Sequence, residues 1–490
     1  MKHKITVVGS GTAGTIVATA LKRYWGDLVD ITLIFDHKNP NIGVGEGTTP
    51  AIYDFIDFMG LRLEDLIKNT GTTVKLGIKF KSWTSDNKIF YHNFHQDCDV
   101  TSSSSQYNYL LAQEILRDDG YQAELFDEYF TDNNKIPSTE LYSSAVHFDA
   151  TQFSVYLRKL YQSQIEIIDA VITDVIVKDN NIDKLVLDTG QEIRSDFYID
   201  STGFSKVLIS KLNSEWVDKT DYLPLNRAIP CPIKKTYDSI PPYTLAEATK
   251  NGWIWQVPLS YRFGSGYLYS SKFTSDDEAR DDFSKWMMEN HGEPMDSGRI
   301  IKFDTGYFNQ SWSGNCLSVG LSSGFVEPLE ATAIHIAVVQ TFSFISHYSL
   351  NGVMEHSRKT YNKHISSLYE EILQFIRFHY FTRRTDSDFW KYMEETTPEW
   401  IFELADKCKE SFMIQNDIEY LSPSETMNLY SWSAISRGLG LFNKKSIIDF
   451  LSDRNLYNQS LDDYVKLVSE KKLAQKTAID HKTYIDDILK

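Results

Sequence analysis

Cysteine is scarce and scattered in this sequence. Cys98, Cys231, Cys316 and Cys408 are the only four in 490 residues. No CxxC and no Cys/His cluster occurs, which excludes a disulfide framework and a zinc site, so no metal is expected. Reduced thiols fit a cytoplasmic protein. No run of about 18 apolar residues is present, which excludes a helical membrane span. Strand-like sequence begins at Lys4, so no secretory signal is expected. Basic charge is also short: 50 Lys and Arg face 67 Asp and Glu, a net charge of −17. That balance argues against nucleic acid and anionic membranes as partners. There is no internal repeat and no long Pro/Gly/Ser linker; Thr101–Ser105 reads only as a short polar loop.

What is present is ample material for a core, with 42% hydrophobic and 13% aromatic residues. The length allows one large α/β unit or two to three domains. The chain opens with KITVV, GSGTAG, TIVATALKRY and ITLIF, which predicts strand, tight turn, helix, strand. In the turn, Gly9 makes the bend, Gly11 lets backbone approach a pyrophosphate, and Gly14 lets helix and strand pack closely. Thr12 and Ala13 lie between them at the head of the helix, whose positive end favours phosphate. Asp36 closes the second strand, where a ribose-binding carboxylate belongs. Residues 165–200 hold short β-branched runs with turns at Asn180–Asn181 and Thr189–Gly190, which predicts antiparallel strands. From about Glu355 the texture is helical. Tyr361, Ile365, Leu368, Ile372 and Phe375 recur at helical spacing.

The opening motif alone does not separate FAD from NAD. Phe197-Tyr198-Ile199-Asp200-Ser201-Thr202-Gly203 resembles the second phosphate-side element of FAD monooxygenase-like proteins. Asn315 to Leu321, with Gly320, resembles the strand that ends over the flavin ribityl chain. Four more segments narrow the resemblance. They are Gly43-Val44-Gly45-Glu46-Gly47-Thr48-Thr49-Pro50, Val74-Lys75-Leu76-Gly77-Ile78-Lys79-Phe80 with Trp83, Gly252-Trp253-Ile254-Trp255-Gln256-Val257-Pro258, and Glu327-Pro328-Leu329-Glu330-Ala331-Thr332. In this order, from residue 5 to about 390, they look like the flavin-dependent tryptophan halogenases and their wider family. The resemblance implies an α/β fold: an FAD-binding Rossmann-like core of the monooxygenase/reductase type, an antiparallel sheet and a helical C-terminal substrate region. The expected division is 1–345 for the FAD-binding, halide-oxidising core and 346–490 for the helical region.

The resemblance also implies the chemistry. FADH2 arrives from a separate flavin reductase, O2 and a halide ion are consumed, and hypohalous acid reaches a lysine beside an aromatic small-molecule substrate. Lys75 matches that lysine, and an ammonium can hydrogen-bond hypohalous acid or form a haloamine. Lys79 is given a supporting or structural role. Glu330 matches the carboxylate that removes the ring proton. The amides after it, at Thr332 and Ala333, are the halide candidates. Gly45, Glu46 and Gly320 join Gly9, Gly11, Thr12, Ala13, Gly14 and Asp36 as FAD contacts. Trp253, Trp255 and Pro258 form the WxWxxP wall of a tunnel, and His92 and Phe94 match positions that stack on the substrate ring. Homo-oligomerisation is left open.

Two departures carry further expectations. The family reads Glu-Ser-Thr-Gly where this chain has Glu330-Ala331-Thr332-Ala333, a less polar helix start. Bromide or iodide is therefore expected to be favoured over chloride. The stretch Tyr420 to Tyr430 has small polar residues where an aromatic lid should stand, so simpler indoles, phenols or anilines are expected rather than free tryptophan. The competing readings are a flavin monooxygenase that hydroxylates and a non-catalytic FAD-binding protein.

Overall fold

A computed structural model describes all residues except 1, 39–44, 95–105, 118–121, 123, 139–143, 235–237, 296–297, 353 and 424–425. Gly43, Val44, Cys98, the Thr101–Ser105 loop, Ser424 and Glu425 therefore lie outside the described residues. The expected division placed one boundary near residue 345. The backbone clusters into two compact units, each assembled from three stretches: 1–72, 147–226 and 301–370, then 73–146, 227–300 and 371–490.

The first unit carries a six-stranded sheet. Its order is Trp312–Ser313, Cys316–Ser318, Phe197–Asp200, His3–Val8, Val29–Phe35, Glu166–Asp169. All neighbours run parallel except the first pair. Strands of a sheet covered on both faces read as continuous apolar runs, and Ile5, Val7, Ile31, Leu33 and Ile199 are all buried. The opening segment is the predicted βαβ unit, with its helix at Thr12–Trp25. That helix packs against the helices Ala150–Tyr161 and Thr332–His347.

The 165–200 block is only partly as expected. Ile172–Lys178 and Asn181–Leu187 form an antiparallel hairpin, extended by Glu192–Ile193. Asp179 and Asn180 take the left-handed conformation at its tip, with φ of 48° and 57°. Glu166–Asp169 and Phe197–Asp200 instead join the parallel sheet.

The second unit is built on a mixed sheet ordered Arg227–Pro230, Arg262–Tyr269, Gly252–Pro258, Tyr243–Ala248, Gly77–Lys81, Phe90–Asn93. Ile233–Lys234 also pairs with Arg262–Tyr269. Every pair is antiparallel except Tyr243–Ala248 with Gly77–Lys81. The helical texture read from the sequence is present. Glu355–His379 is one helix, with Tyr361, Ile365, Leu368, Ile372 and Phe375 all buried. Asp388–Glu395, Glu399–Glu410, Leu429–Gly438 and Arg454–Thr477 follow. Among the described residues no helix is long and apolar enough to cross a membrane.

Candidate active site

The site residues read from the sequence fall into two sets, one in each unit. In the first unit, the glycine-rich turn is shaped by side chains that are missing. Gly9 has a φ of +104°, and a methyl there would lie 2.1 Å from the Ser201 carbonyl oxygen. A methyl on Gly14 would lie 2.0 Å from the Gly9 carbonyl oxygen. Gly11 caps the Thr12–Trp25 helix with extended backbone and no side-chain cap, so the amides of the first turn stay open. Gly320 faces the same turn: its φ is +64°, and a methyl would meet the Ala13 Cβ at 2.6 Å. Asp36 follows the strand Val29–Phe35 and accepts a hydrogen bond from the Lys38 amide at 2.9 Å.

Two charged groups complete this cradle, and the sequence singled out only one. Glu46 lies on the short strand Gly45–Gly47, paired across from Phe148. Burial raises its pKa to about 7; a hydrogen bond with Thr12 opposes the rise and the charge of Asp149 adds to it. Arg158 was not foreseen. Its guanidinium donates to the Ser10 carbonyl at 3.0 Å and hydroxyl at 2.8 Å, and lies 4.9 Å from the centre of the Phe35 ring. A lone arginine on a helix gives no sequence signal that it reaches the glycine turn. Asp200 turns out to be internal: its carboxylate accepts from the amides of Thr202, Leu208 and Ile209 and from the Thr202 hydroxyl. A turn that only glycine allows, open helix amides and an adjacent cation together fit a dinucleotide pyrophosphate.

Glu330 ends a short turn, Pro328–Glu330, and is buried. Ala331 then takes the left-handed conformation, φ 56°, and the helix Thr332–His347 begins with no side-chain cap. Its first amides are free of intrahelical partners. Ala333 and Ile336 line a small cleft together with Gly320, Leu321, Gly324 and Tyr369. Ala333, one of the two halide candidates, and Gly320 are thus brought together. Thr332 is fully buried.

In the second unit, Lys75 ends the strand Thr73–Lys75 and is fully buried, with its ammonium 4.9 Å from the centre of the Phe94 ring. Thr73 donates to the Pro258 carbonyl at 2.6 Å, which ties this strand to the end of the tryptophan strand. His92 is 5% exposed and stands edge-on to Phe94 at 6.5 Å and to Phe375 at 5.7 Å. Trp253 and Trp255 share one face of Gly252–Pro258, their ring centres 6.4 Å apart. The Trp255 ring lies on Gly266, where a methyl would come within 2.1 Å of it. Lys79 is different from Lys75. It pairs with Asp132 at 3.1 Å and lies 5.1 Å from both the Tyr91 and Tyr243 rings. The stretch read as a missing lid is held down: the Ser422 hydroxyl and the Met427 amide both donate to the Glu371 carboxylate at 2.7 Å.

A mostly parallel sheet with this glycine cradle defines an α/β protein with a Rossmann-like dinucleotide-binding core, the FAD-binding core of the halogenases it resembles in fold. The chain belongs to the tryptophan halogenase family, whose model matches residues 4–451, and it is a flavin-dependent halogenase, an oxidoreductase. It is 30% identical over 435 residues to tryptophan 7-halogenase RebH of Lentzea aerocolonigenes, covering 80% of this chain and 79% of that one. It is similar to the solved structure of BrvH, a flavin-dependent halogenase from Brevundimonas sp. BAL3: 27% identity, TM-score 0.85, 100% of this chain and 99% of that one. The tryptophan 6-halogenase SttH from Streptomyces toxytricini has the same fold, with a TM-score of 0.89 at 24% identity over 99% of both chains.

Proposed function

We propose that this halogenase acts on an electron-rich indole, phenol or aniline rather than free tryptophan, with Lys75 and Glu330 as its catalytic residues. The observation that carries the reading is the full burial of Lys75 against Phe94, beside His92. An ammonium buried against an aromatic ring is poorly hydrated, which suits it to hydrogen-bonding hypohalous acid. His92 and Phe94 supply flat surfaces for a ring that attacks the halogen. Trp253, Trp255 and Pro258 line the route to the lysine. Glu330, buried in its own unit, takes the proton that the ring gives up. Lys79 is a structural neighbour, its charge engaged by Asp132.

Gly9, Gly11, Thr12, Ala13, Gly14, Asp36, Gly45, Glu46 and Gly320 would hold FAD, with the amides at the head of Thr12–Trp25 on its pyrophosphate. Bound reduced FAD, delivered by a separate flavin reductase, would supply with O2 the oxidation of halide to hypohalous acid. Thr332 and Ala333 receive the halide. The protein works in the cytoplasm, a reading supported by Cys231, Cys316 and Cys408, which form no disulfide among the described residues.

The substrate reading departs from the tryptophan of the named relatives. It rests on the Tyr420–Tyr430 stretch, whose Ser422 and Met427 are spent on Glu371. Bromide or iodide should outcompete chloride, because the cleft beside Ala333 is largely apolar and replaces hydration poorly. The test supplies FAD, a flavin reductase, NADH, air and equimolar chloride, bromide and iodide to a panel of aromatics that includes L-tryptophan. Products are read by mass spectrometry. Brominated or iodinated simple aromatics are expected; efficient chlorination of L-tryptophan would reverse both the substrate and the halide assignments.

A further inference from the structure

The head of the Thr332–His347 helix holds two buried polar atoms that the mechanism above leaves unused. The Thr332 hydroxyl and the His335 Nε2 each lack a hydrogen-bond partner among the described residues. A buried polar group left without a partner costs free energy. Two of them three residues apart stand on one face of one helical turn. Side chains on a helix lean toward its N-terminus, so the His335 imidazole covers the turn that begins at Ala331 and Thr332. The other imidazole nitrogen, Nδ1, lies 3.0 Å from the Thr49 hydroxyl. Thr49 lies two residues after the strand Gly45–Gly47, which carries Gly45 and Glu46. His335 therefore links the segment of flavin candidates to the helix of halide candidates, all inside one compact unit.

We propose that His335 is a halide-binding and specificity-determining residue. The Thr49 hydroxyl donates to Nδ1, which keeps the ring proton on Nε2. Nε2–H and the Thr332 hydroxyl then donate to the anion, alongside the uncapped amides of Thr332 and Ala333. This arrangement suits a small monovalent anion. The side-chain donors are neutral, and the helix end contributes only about half a unit of positive charge. A phosphate dianion would need a cation that this turn does not supply; burial keeps the imidazole itself neutral, with a pKa lowered to about 4. The inference rests on the halide reading given above, and adds a side chain to a site otherwise made of backbone.

The test is a sodium bromide titration of the FAD-loaded protein, followed by the change in flavin absorbance and by the melting temperature. His335→Phe keeps the ring shape and removes both nitrogens; it should weaken bromide binding at least about 10-fold, equivalent to about 1.4 kcal/mol. His335→Gln, which restores an N–H donor, should bind bromide within threefold of wild type. Thr49→Val, which frees the ring proton to move, should fall between the two. FAD affinity should change less than twofold throughout. Bromide affinity within twofold of wild type in a folded His335→Phe protein overturns the proposal. Should His335→Phe not fold, Thr332→Val and Thr49→Val decide, and unchanged bromide affinity in both overturns it. Wild-type protein that halogenates while His335→Phe binds bromide normally sinks this inference alone. Protein that binds bromide through His335 but makes no product sinks the functional reading alone.

Discussion

The two units handle their chemistry in opposite ways. The unit with the dinucleotide cradle is defined by atoms that are absent: Gly9, Gly14 and Gly320 each pack so closely on their neighbours that one methyl group would collide. The unit with Lys75 is defined by bulk, with Phe94, Phe375, Trp253, Trp255 and Trp432 packed edge to face. The difference teaches which substitutions each can bear. A cofactor that meets backbone is lost when side chain is added. A substrate that meets rings is lost when side chain is removed.

The sharpest break is chemical rather than steric. Lys75→Met should cut product formation on the order of 10³-fold. Oxygen consumption with reductase present should persist, measured by electrode beside mass spectrometry of the product. Lys79→Met should cost less than about 10-fold, because its ammonium serves Asp132. A dead Lys79→Met and a working Lys75→Met would exchange the two roles. Next comes Gly14→Val, the steric addition. It should weaken FAD binding at least about 100-fold, near 2.8 kcal/mol, as read by equilibrium dialysis. Unchanged affinity would show that the turn tolerates side chain, and the contrast between the units would fall.

Truncation in the second unit should cost stability. Trp253 is 1% exposed, and Trp253→Ala should destabilise the protein by about 3–5 kcal/mol in urea unfolding. A loss below about 1 kcal/mol would mean that the ring is not part of a packed wall. The smallest expected effect is electrostatic. Glu46 is raised from its ordinary 4.5 to about 7 in the folded protein, mainly by burial. A carboxyl raised on folding adds stability below its unfolded pKa, and that stability is lost as pH rises through the folded one. Flavin-free protein should therefore lose on the order of 2 kcal/mol between pH 5 and pH 8 relative to Glu46→Gln. Parallel pH profiles for the two proteins would remove Glu46 from the cradle.

The glycine turn was legible because every part of it is local: strand, bend and helix follow one another within the chain. The long helix from Glu355 was legible for the same reason, through Tyr361, Ile365, Leu368, Ile372 and Phe375. Strand direction was not. Glu166–Asp169 and Phe197–Asp200 flank the hairpin as short strand-like runs, and periodicity carries no sign for parallel or antiparallel pairing. Lys75 and Lys79 could not be separated by spacing. Their difference comes from Asp132, Tyr91 and Tyr243 on one side and Phe94 on the other. Arg158 and His335 were invisible because their partners, Ser10 and Thr49, are far away in sequence.

The Glu371 carboxylate fastens both Ser422 and Met427. One buried anion thus clamps the two ends of a short segment to a single point on a long helix. Such a clamp separates length from position: residues inserted between the anchors extend outward, while the helices on either side keep their register. New substrate reach could then be grafted at this spot without retuning the core, and an evolving lineage could lengthen or trim the segment as freely as an engineer.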